Sequence, residues 1–271
     1  MRAVAVLCDI HGNLPALDAV LAELAADPPD AIVIGGDIVA GPQPREVLER
    51  LDALPWPMLG VRGNADRCVV AAFDGAIPKT ERDEPMWIAD AWTAARLGRV
   101  ERDRLAALPP LAELDVEVLG RVLFCHGTPH SDEERVTAVT PEPRLARILE
   151  GVEADLVVGG HTHRQFDLRA GGRRMVNAGS IGRPYEREPG AYWLRLGPGV
   201  ELRRTTYDTA AALEAFRALG YPDADGMAAD VDADEVAARF EAAADAPLPP
   251  ESLTAGGPVG SPMRPPACCS T

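Results

Sequence analysis

The sequence predicts an α/β fold with parallel strands and helices packed outside them, and three observations lead there. Short apolar runs of strand length alternate with longer amphipathic stretches through the first half of the chain. Glycines and polar residues follow the runs. Four of the five histidines, together with two aspartates and an asparagine, fall just past the ends of those runs. In an open α/β sheet the crevice beyond the carboxyl ends of the strands is where ligands bind.

Taken in order, residues 3–7 form a short apolar run and read as a buried strand. Residues 14–26 place Leu14, Leu17, Val20, Leu21 and Leu24 on one helical face. Residues 31–34 read as a second buried strand and 44–54 as a second helix, with Pro44 in its first turn. This βαβα order implies parallel strands. The rhythm breaks over about 67–110, where Trp87, Trp92 and Leu97 lie among many charges and read as helices of a cap insert. Strands return at 116–119, 122–124 and 156–158. Pairs follow at 166–170 with 173–176 and at 191–196 with 200–206, separated by Gly171-Gly172 and by Gly197-Pro198-Gly199. Residues 208–219 read as a helix. The domain is expected to span 1–220, and 221–271 to be an acidic tail rich in Ala, Pro and Gly. That tail is expected to hold one helix near 234–244 and to be disordered from 247 onward.

Composition narrows the function. A chain of 271 residues supports one substantial core with appendages. No apolar run approaches the ~18–20 residues of a membrane span, and the run at 3–7 ends too soon at Asp9 for a secretory signal, so a cytoplasmic location is expected. Five cysteines, at 8, 68, 125, 268 and 269, have no framework spacing and read as reduced thiols. The terminal Cys268-Cys269-Ser270-Thr271 is a poor lipidation box with no polybasic stretch before it. A net charge of −15 argues against a nucleic-acid polymer as partner. A small anionic substrate would need a local positive centre, which metal ions provide. The oligomeric state has no signature in the sequence.

The chemistry-bearing residues are Asp9 and His11 in "CDIHGN", Asp37 in "GGDIVAGP", Asn64 in "RGNAD", His126 in "FCHGTP", and His161 and His163 in "VVGGHTHR". Nitrogen and oxygen donors without thiolate suit Mn, Fe or Zn. Asp37 has a short carboxylate able to bridge two ions roughly 3.5–4 Å apart.

In order and spacing, "DIHGN", "GGDIVAGP", "RGN" with Asp66, "HGTP", "GHTH" and "NAGSIGRP" resemble the calcineurin-like metallophosphoesterases, particularly their small bacterial single-domain branch, over roughly residues 1–210. The resemblance implies a four-layer αββα sandwich of two mixed sheets around a dinuclear centre. It implies that Asp9, His11 and His163 hold one divalent ion, that Asn64, His126 and His161 hold the other, and that Asp37 bridges them. Manganese is the first expectation, with iron, zinc or nickel as alternatives. A metal-bridging hydroxide would then attack phosphorus in line. The expected activity is hydrolysis of a small phosphorylated metabolite or nucleotide, diesters before monoesters. The alternatives are a nuclease or monoesterase of the same fold, and a catalytically silent metal-holding scaffold.

Other residues are expected to support the site. Asn13 meets the phosphate or caps the following helix, and Arg183 meets the phosphate. Asp66 bonds a ligand histidine. Cys8 and Cys125 read as small core residues. The family usually places a histidine after Gly-Asn in the loop, and that histidine is thought to protonate the leaving group. Here Ala65 stands there. His130 is the first candidate to replace it, because an imidazole titrates near neutrality. Cys68 is the second.

Overall fold

The computed structural model describes residues 1–78, 84–228 and 232–243. Residues 244–271, where the sequence places most of the tail with Cys268 and Cys269, lie outside the described residues.

Two five-stranded mixed sheets face each other. The first comprises β1 (Val4–Leu7), β2 (Ala31–Ile34), β3 (Met58–Gly60), β9 (Ala191–Leu196) and β10 (Val200–Thr205), in the order β10-β9-β1-β2-β3. β1, β2 and β3 run parallel, and β9 and β10 join antiparallel. The second comprises β4 (Leu111–Val116), β5 (Gly120–Cys125), β6 (Leu156–Gly159), β7 (Phe166–Ala170) and β8 (Arg173–Asn177), in the order β4-β5-β6-β8-β7, with β5, β6 and β8 parallel.

The alternation of side chains along each strand divides three cores. Val4, Val6, Val33 and Leu194 of the first sheet meet Val122, Phe124, Val158 and Val176 of the second. The opposite face of the first sheet, with Leu7, Ile32 and Ile34, packs under α1 (Leu14–Ala26), α2 (Pro44–Asp52), α3 (Asn64–Phe73) and α5 (Arg99–Ala106). The outer face of the second, with Leu123, Val157 and Met175, packs on α6 (Glu142–Ile148). Neither sheet could bury both faces alone, and the αββα order follows from that need.

The stretch expected as a helical insert contains most of α3, then α4 (Glu84–Ala94) and α5, and connects β3 to β4 across the two sheets. Two local expectations change. Residues 116–119 are not a strand: β4 ends at Val116, and Val118 turns the chain with a φ of 71°. β4 instead begins at Leu111, directly after Pro109-Pro110. The helix α6 has no counterpart in the sequence reading, because two turns with only Leu145 and Ile148 buried give too short a pattern to register.

The chain after α7 (Thr209–Ala218) stays on the domain. Tyr221, Ala224 and Met227 share a buried cluster with Phe216 and Ala89, and a short 3-10 turn covers Asp225–Ala228. The helix α8 (Ala233–Ala243) brings the Glu241 carboxylate to the hydroxyls of Thr137 and Thr140 and to Arg144.

Candidate metal centre

Every expected ligand lies just beyond a strand end, and hydrogen bonds between the loops lock them together. Asp9 and His11 follow β1, and their backbone N–H groups donate to the carbonyls of Gly36 and Asp37 at 3.0 and 2.9 Å. Asp37 follows β2, and Asn64 opens α3 after β3. His126 follows β5, and its carbonyl accepts from Gly160, at 2.8 Å, in the loop holding His161 and His163 after β6. The "NAGSIG" segment after β8 closes the ring: Ile181 donates to Cys8 and Gly182 to Asp9.

The backbone there is strained. Among the described residues six that are not glycine have positive φ, and five of them are Asp9, His11, Asp37, His161 and His163, with φ from 48° to 67°. Each such conformation costs on the order of 1–3 kcal/mol and persists only where surrounding structure enforces it. Glycine is required where the loops cross. Gly36, at φ 89°, passes so close to Gly63 that an added Cβ would lie 2.6 Å from its nitrogen.

The strain aims donor atoms inward. His11, His126 and His163 each set Nδ1 against a backbone carbonyl, those of Ala40 at 3.0 Å, Gly35 at 2.8 Å and Arg183 at 2.7 Å. Nδ1 therefore donates in each, and Nε2 is the ring nitrogen that faces the cluster and is open to a metal ion. His161 is reversed: its Nε2 donates to the Glu133 carbonyl at 3.1 Å, which leaves Nδ1 as the lone-pair atom. The carbonyl it uses belongs to a loop braced by Arg67, whose guanidinium grips Asp132 and Glu133.

Two groups result. The donor atoms of Asp9, His11, Asp37 and His163 lie within 4.8 Å of one another, as do those of Asp37, His126 and His161. Asp37 is common to both. The Asn64 side-chain oxygen comes to 3.0 Å from His126 Nε2, at the second group. Asp9, Asp37 and His126 are at most 3% exposed. Two buried imidazole nitrogens, of His11 and His163, face each other at 3.2 Å. Such an arrangement of lone pairs and carboxylates suits a shared cation, so the residues present fit divalent metal ions.

Electrostatics follow the same geometry. Burial works against charge on His126, but Asp37 at 3.3 Å, with Asp9 beyond it, outweighs burial and raises its pKa to about 10. Burial and then His163 press His11 down to about 4, and burial and then His126 press His161 down to about 3. Burial opposes ionisation of Asp9, yet His163 at 3.1 Å outweighs it and the carboxyl stays below its ordinary range.

Supporting residues behave less uniformly. The Asn13 side chain caps α1 through Ala16 and donates to the Gly182 carbonyl and the Tyr207 hydroxyl, so the helix-cap role, not phosphate contact, accounts for its polar atoms. Asp66 bonds no histidine. Its carboxylate accepts from the backbone N–H of Ile38, Val39 and Gly63 and so ties the Asp37 loop to the Asn64 loop. His130 does not face the centre, since its Nε2 meets the Ile148 carbonyl at 2.9 Å on α6. The Cys68 thiol is pushed up to about 12 by burial and by Asp90, which makes it a poor proton donor near neutrality. Cys8 and Cys125 are buried. Arg183 lies mostly buried, with Nη1 on Asp223 at 2.7 Å and a buried Nε without a partner.

The sequence reading missed three residues. Ser180 donates its hydroxyl to the Asp9 carbonyl and accepts from Arg183 N–H, and Asn177 holds the carbonyl of Gly160 and the hydroxyl of Thr162. Both sit in or beside "NAGSIGRP", so the motif signalled them. Asp90, on α4, gave no signal: it is a single carboxylate on a helix, buried and pushed up to about 7 by burial and then by Asp37.

Among the described residues no helix is long and apolar enough to cross a membrane. A search of curated proteins finds no match. Among solved structures, a metallophosphoesterase from Sphaerobacter thermophilus is 26% identical, with a TM-score of 0.67 over 85% of this chain and 99% of its own. A hypothetical protein from Pyrococcus horikoshii OT3 is 24% identical and shares the fold, with a TM-score of 0.71 over 82% of this chain and 95% of its own. The sequence profile of the calcineurin-like phosphoesterase superfamily domain matches residues 1–195. With that match over most of its length, and with a buried Asp/His cluster at the strand ends, the chain belongs to the calcineurin-like phosphoesterase superfamily.

Proposed function

We infer that the protein is a dinuclear metal-dependent phosphoesterase whose first substrates are phosphodiesters, small phosphorylated metabolites or nucleotides. The observation behind this reading is the convergence of four imidazole nitrogens on two buried carboxylates, with Asp37 common to both groups. Asp9, His11 and His163 would hold one divalent ion, His126, His161 and Asn64 the other, and Asp37 both. Manganese is the first choice for an oxygen- and nitrogen-rich set. Such a pair would supply an activated water and neutralise charge developing on phosphorus.

The chain's own residues do the positioning. The Ala65 backbone N–H holds Asp37 at 2.8 Å, and Asp66 fixes the two loops that carry Asp37 and Asn64. Arg183 places a guanidinium close enough to disfavour charge on His11, and we assign it to a phosphate oxygen.

Ala65 selects among esters. A positioned general acid is worth about 10²–10⁴ in rate, and it matters most when an alkoxide leaves. Neither His130 nor Cys68 supplies one. Leaving groups that depart as stable anions, such as phenolates or phosphates, are therefore favoured. The same residue is what favours the second reading, a silent metal-holding scaffold.

Hydrolysis of bis(p-nitrophenyl) phosphate by the purified protein with added Mn²⁺ separates the two. Turnover that disappears on chelation and in Asp37→Ala supports the esterase. Metal uptake with no turnover of diesters, monoesters or nucleotides supports the scaffold.

A further inference from the structure

A cavity of about 350 Å³ borders the loops that follow β1 and β8, and none of the candidate ligands lines it. Its near edge is formed by Asn13, two residues past His11, and by Pro184, next to Arg183. Two residues of chain span at most about 7 Å, so the backbone at the cavity edge lies within that distance of the His11 backbone. Its volume falls in the range of organic-ligand pockets, roughly 300–1,000 Å³. A phosphate alone would leave most of it empty.

The walls differ in character. Phe216, Met227 and Ala212 are almost fully buried and, with Leu213 and the Tyr207 ring, make an apolar side. The rest of the lining includes the loop after β8, with Glu186, Arg187 and Glu188. Arg187 is paired with Asp234, and Glu188 with Arg204. Glu186 uses Oε1 to accept the Gln165 N–H at 2.7 Å, which leaves Oε2 as an acceptor. The Tyr207 hydroxyl accepts from Asn13 at 3.1 Å and keeps its own O–H to donate.

These features narrow the occupant. An acyl chain would cover the second Glu186 oxygen without offering it a donor, which is costly. A bare sugar phosphate would leave the aromatic wall uncovered. A second phosphate would meet the negative charge of Glu186. A flat ring with N–H donors at its edge suits both walls. We propose that this cavity receives the nucleoside moiety of the substrate, with its base against Tyr207 and Leu213, an N–H edge on Glu186, and its phosphate reaching towards the cluster. The inference rests on the phosphoesterase reading for the phosphate end only.

The test measures binding by calorimetry to the full chain, with and without Mn²⁺, using adenosine 5′-monophosphate, ribose 5-phosphate, adenosine and inorganic phosphate as probes. The nucleotide should bind at least tenfold more tightly than ribose 5-phosphate, and adenosine should bind even without metal. Leu213→Trp, at a half-buried position on the apolar wall, should erase the nucleotide preference and leave phosphate binding unchanged. Glu186→Gln, which keeps the volume and an acceptor for Gln165, should weaken adenosine severalfold. Equal binding of the two phosphates by the wild type, or a preference that survives Leu213→Trp, would overturn the assignment. Ester turnover without nucleotide preference would sink the cavity alone. Nucleotide preference without any turnover would uphold the cavity and sink the esterase.

Discussion

Ala65 donates its backbone N–H to the Asp37 carboxylate at 2.8 Å, so the residue without a functional side chain still positions the carboxylate shared by both donor groups. The loop thus keeps its structural task where the family's usual proton donor is absent.

Restoring that donor tests why it is missing. Ala65→His retains the backbone bond to Asp37. Diesters with alkoxide leaving groups should gain up to roughly 10² in kcat/KM, whereas nitrophenolate esters should change little or slow through crowding. The measurement is kcat/KM across diesters graded by leaving-group pKa. A uniform loss would show that the position is steric. An equal slope in wild type and variant would refute selection by the missing acid.

The shared role of Asp37 predicts unequal losses of metal. Asp37→Ala should reduce bound metal at both groups, while His163→Ala should mainly empty the group it shares with Asp9 and His11. Elemental analysis of the purified variants decides, and two ions per chain in Asp37→Ala would overturn the assignment.

Without metal, the same pair makes stability depend on pH. His126 is raised from 6.5 to about 10, so the folded state holds its proton more tightly than the unfolded chain does. The stabilisation is fully present below about pH 6.5 and is lost as pH rises through about 10. It amounts at most to several kcal/mol at about 1.4 kcal/mol per pKa unit. Chemical denaturation of chelator-treated protein between pH 6 and 10.5 should show this decline. Asp37→Asn should flatten it, and an unchanged slope in that variant would remove Asp37 as the cause.

Asp90 gives a slope of the same sign in a lower pH window, from burial instead of an ion pair. Its carboxyl rises from 3.8 to about 7, so the native state binds a proton that the unfolded chain releases, and stability falls as pH climbs from about 4 to about 7. Asp90→Asn should make the metal-free protein more stable at pH 7.5 and should reduce that slope. Asp66, also raised to about 7, keeps part of it. Identical midpoints for variant and wild type at pH 7.5 would show that the charge on Asp90 costs the fold nothing.

What the sequence made legible follows from where information is local. Parallel strands β1 and β2, helix α1 and the strand-end positions of the seven residues expected as ligands were readable because each of those residues follows an apolar run within a few residues. The cap formed by Asn13 was among its expected roles, whereas Asp66 and His130 were placed on the right loops but given the wrong surroundings, because a side chain's partner depends on which loop lies across from it. Asp66 illustrates this: its acceptors serve Ile38 and Val39, almost thirty residues away in the chain. Asp90 was invisible because burial, which shifts its proton affinity, is a property of the packed helix α4. The cavity beside Asn13 likewise forms only where α7 meets the loop after β8.

The segment after α7 gives the last prediction. Truncation after Ala246 removes only residues outside the described structure and carries none of the expected ligands, so thermal midpoint and turnover should stay near wild type. Truncation after Gly220 is different. It uncovers Phe216 and Ala89 by removing Tyr221, Ala224 and Met227, and it strips Glu241 from Thr137, Thr140 and Arg144. It also removes Phe240, which packs against Tyr185, whose ring stacks on His163 at 4.8 Å. Burial of three such apolar residues is worth on the order of several kcal/mol, so this shorter chain should melt many degrees lower and hold its metals more weakly. Calorimetric melting and elemental analysis of both truncations provide the comparison. Equal melting of the two would show that residues 221–243 merely rest on the domain. Loss of metal in the longer one would place part of the site beyond Ala246.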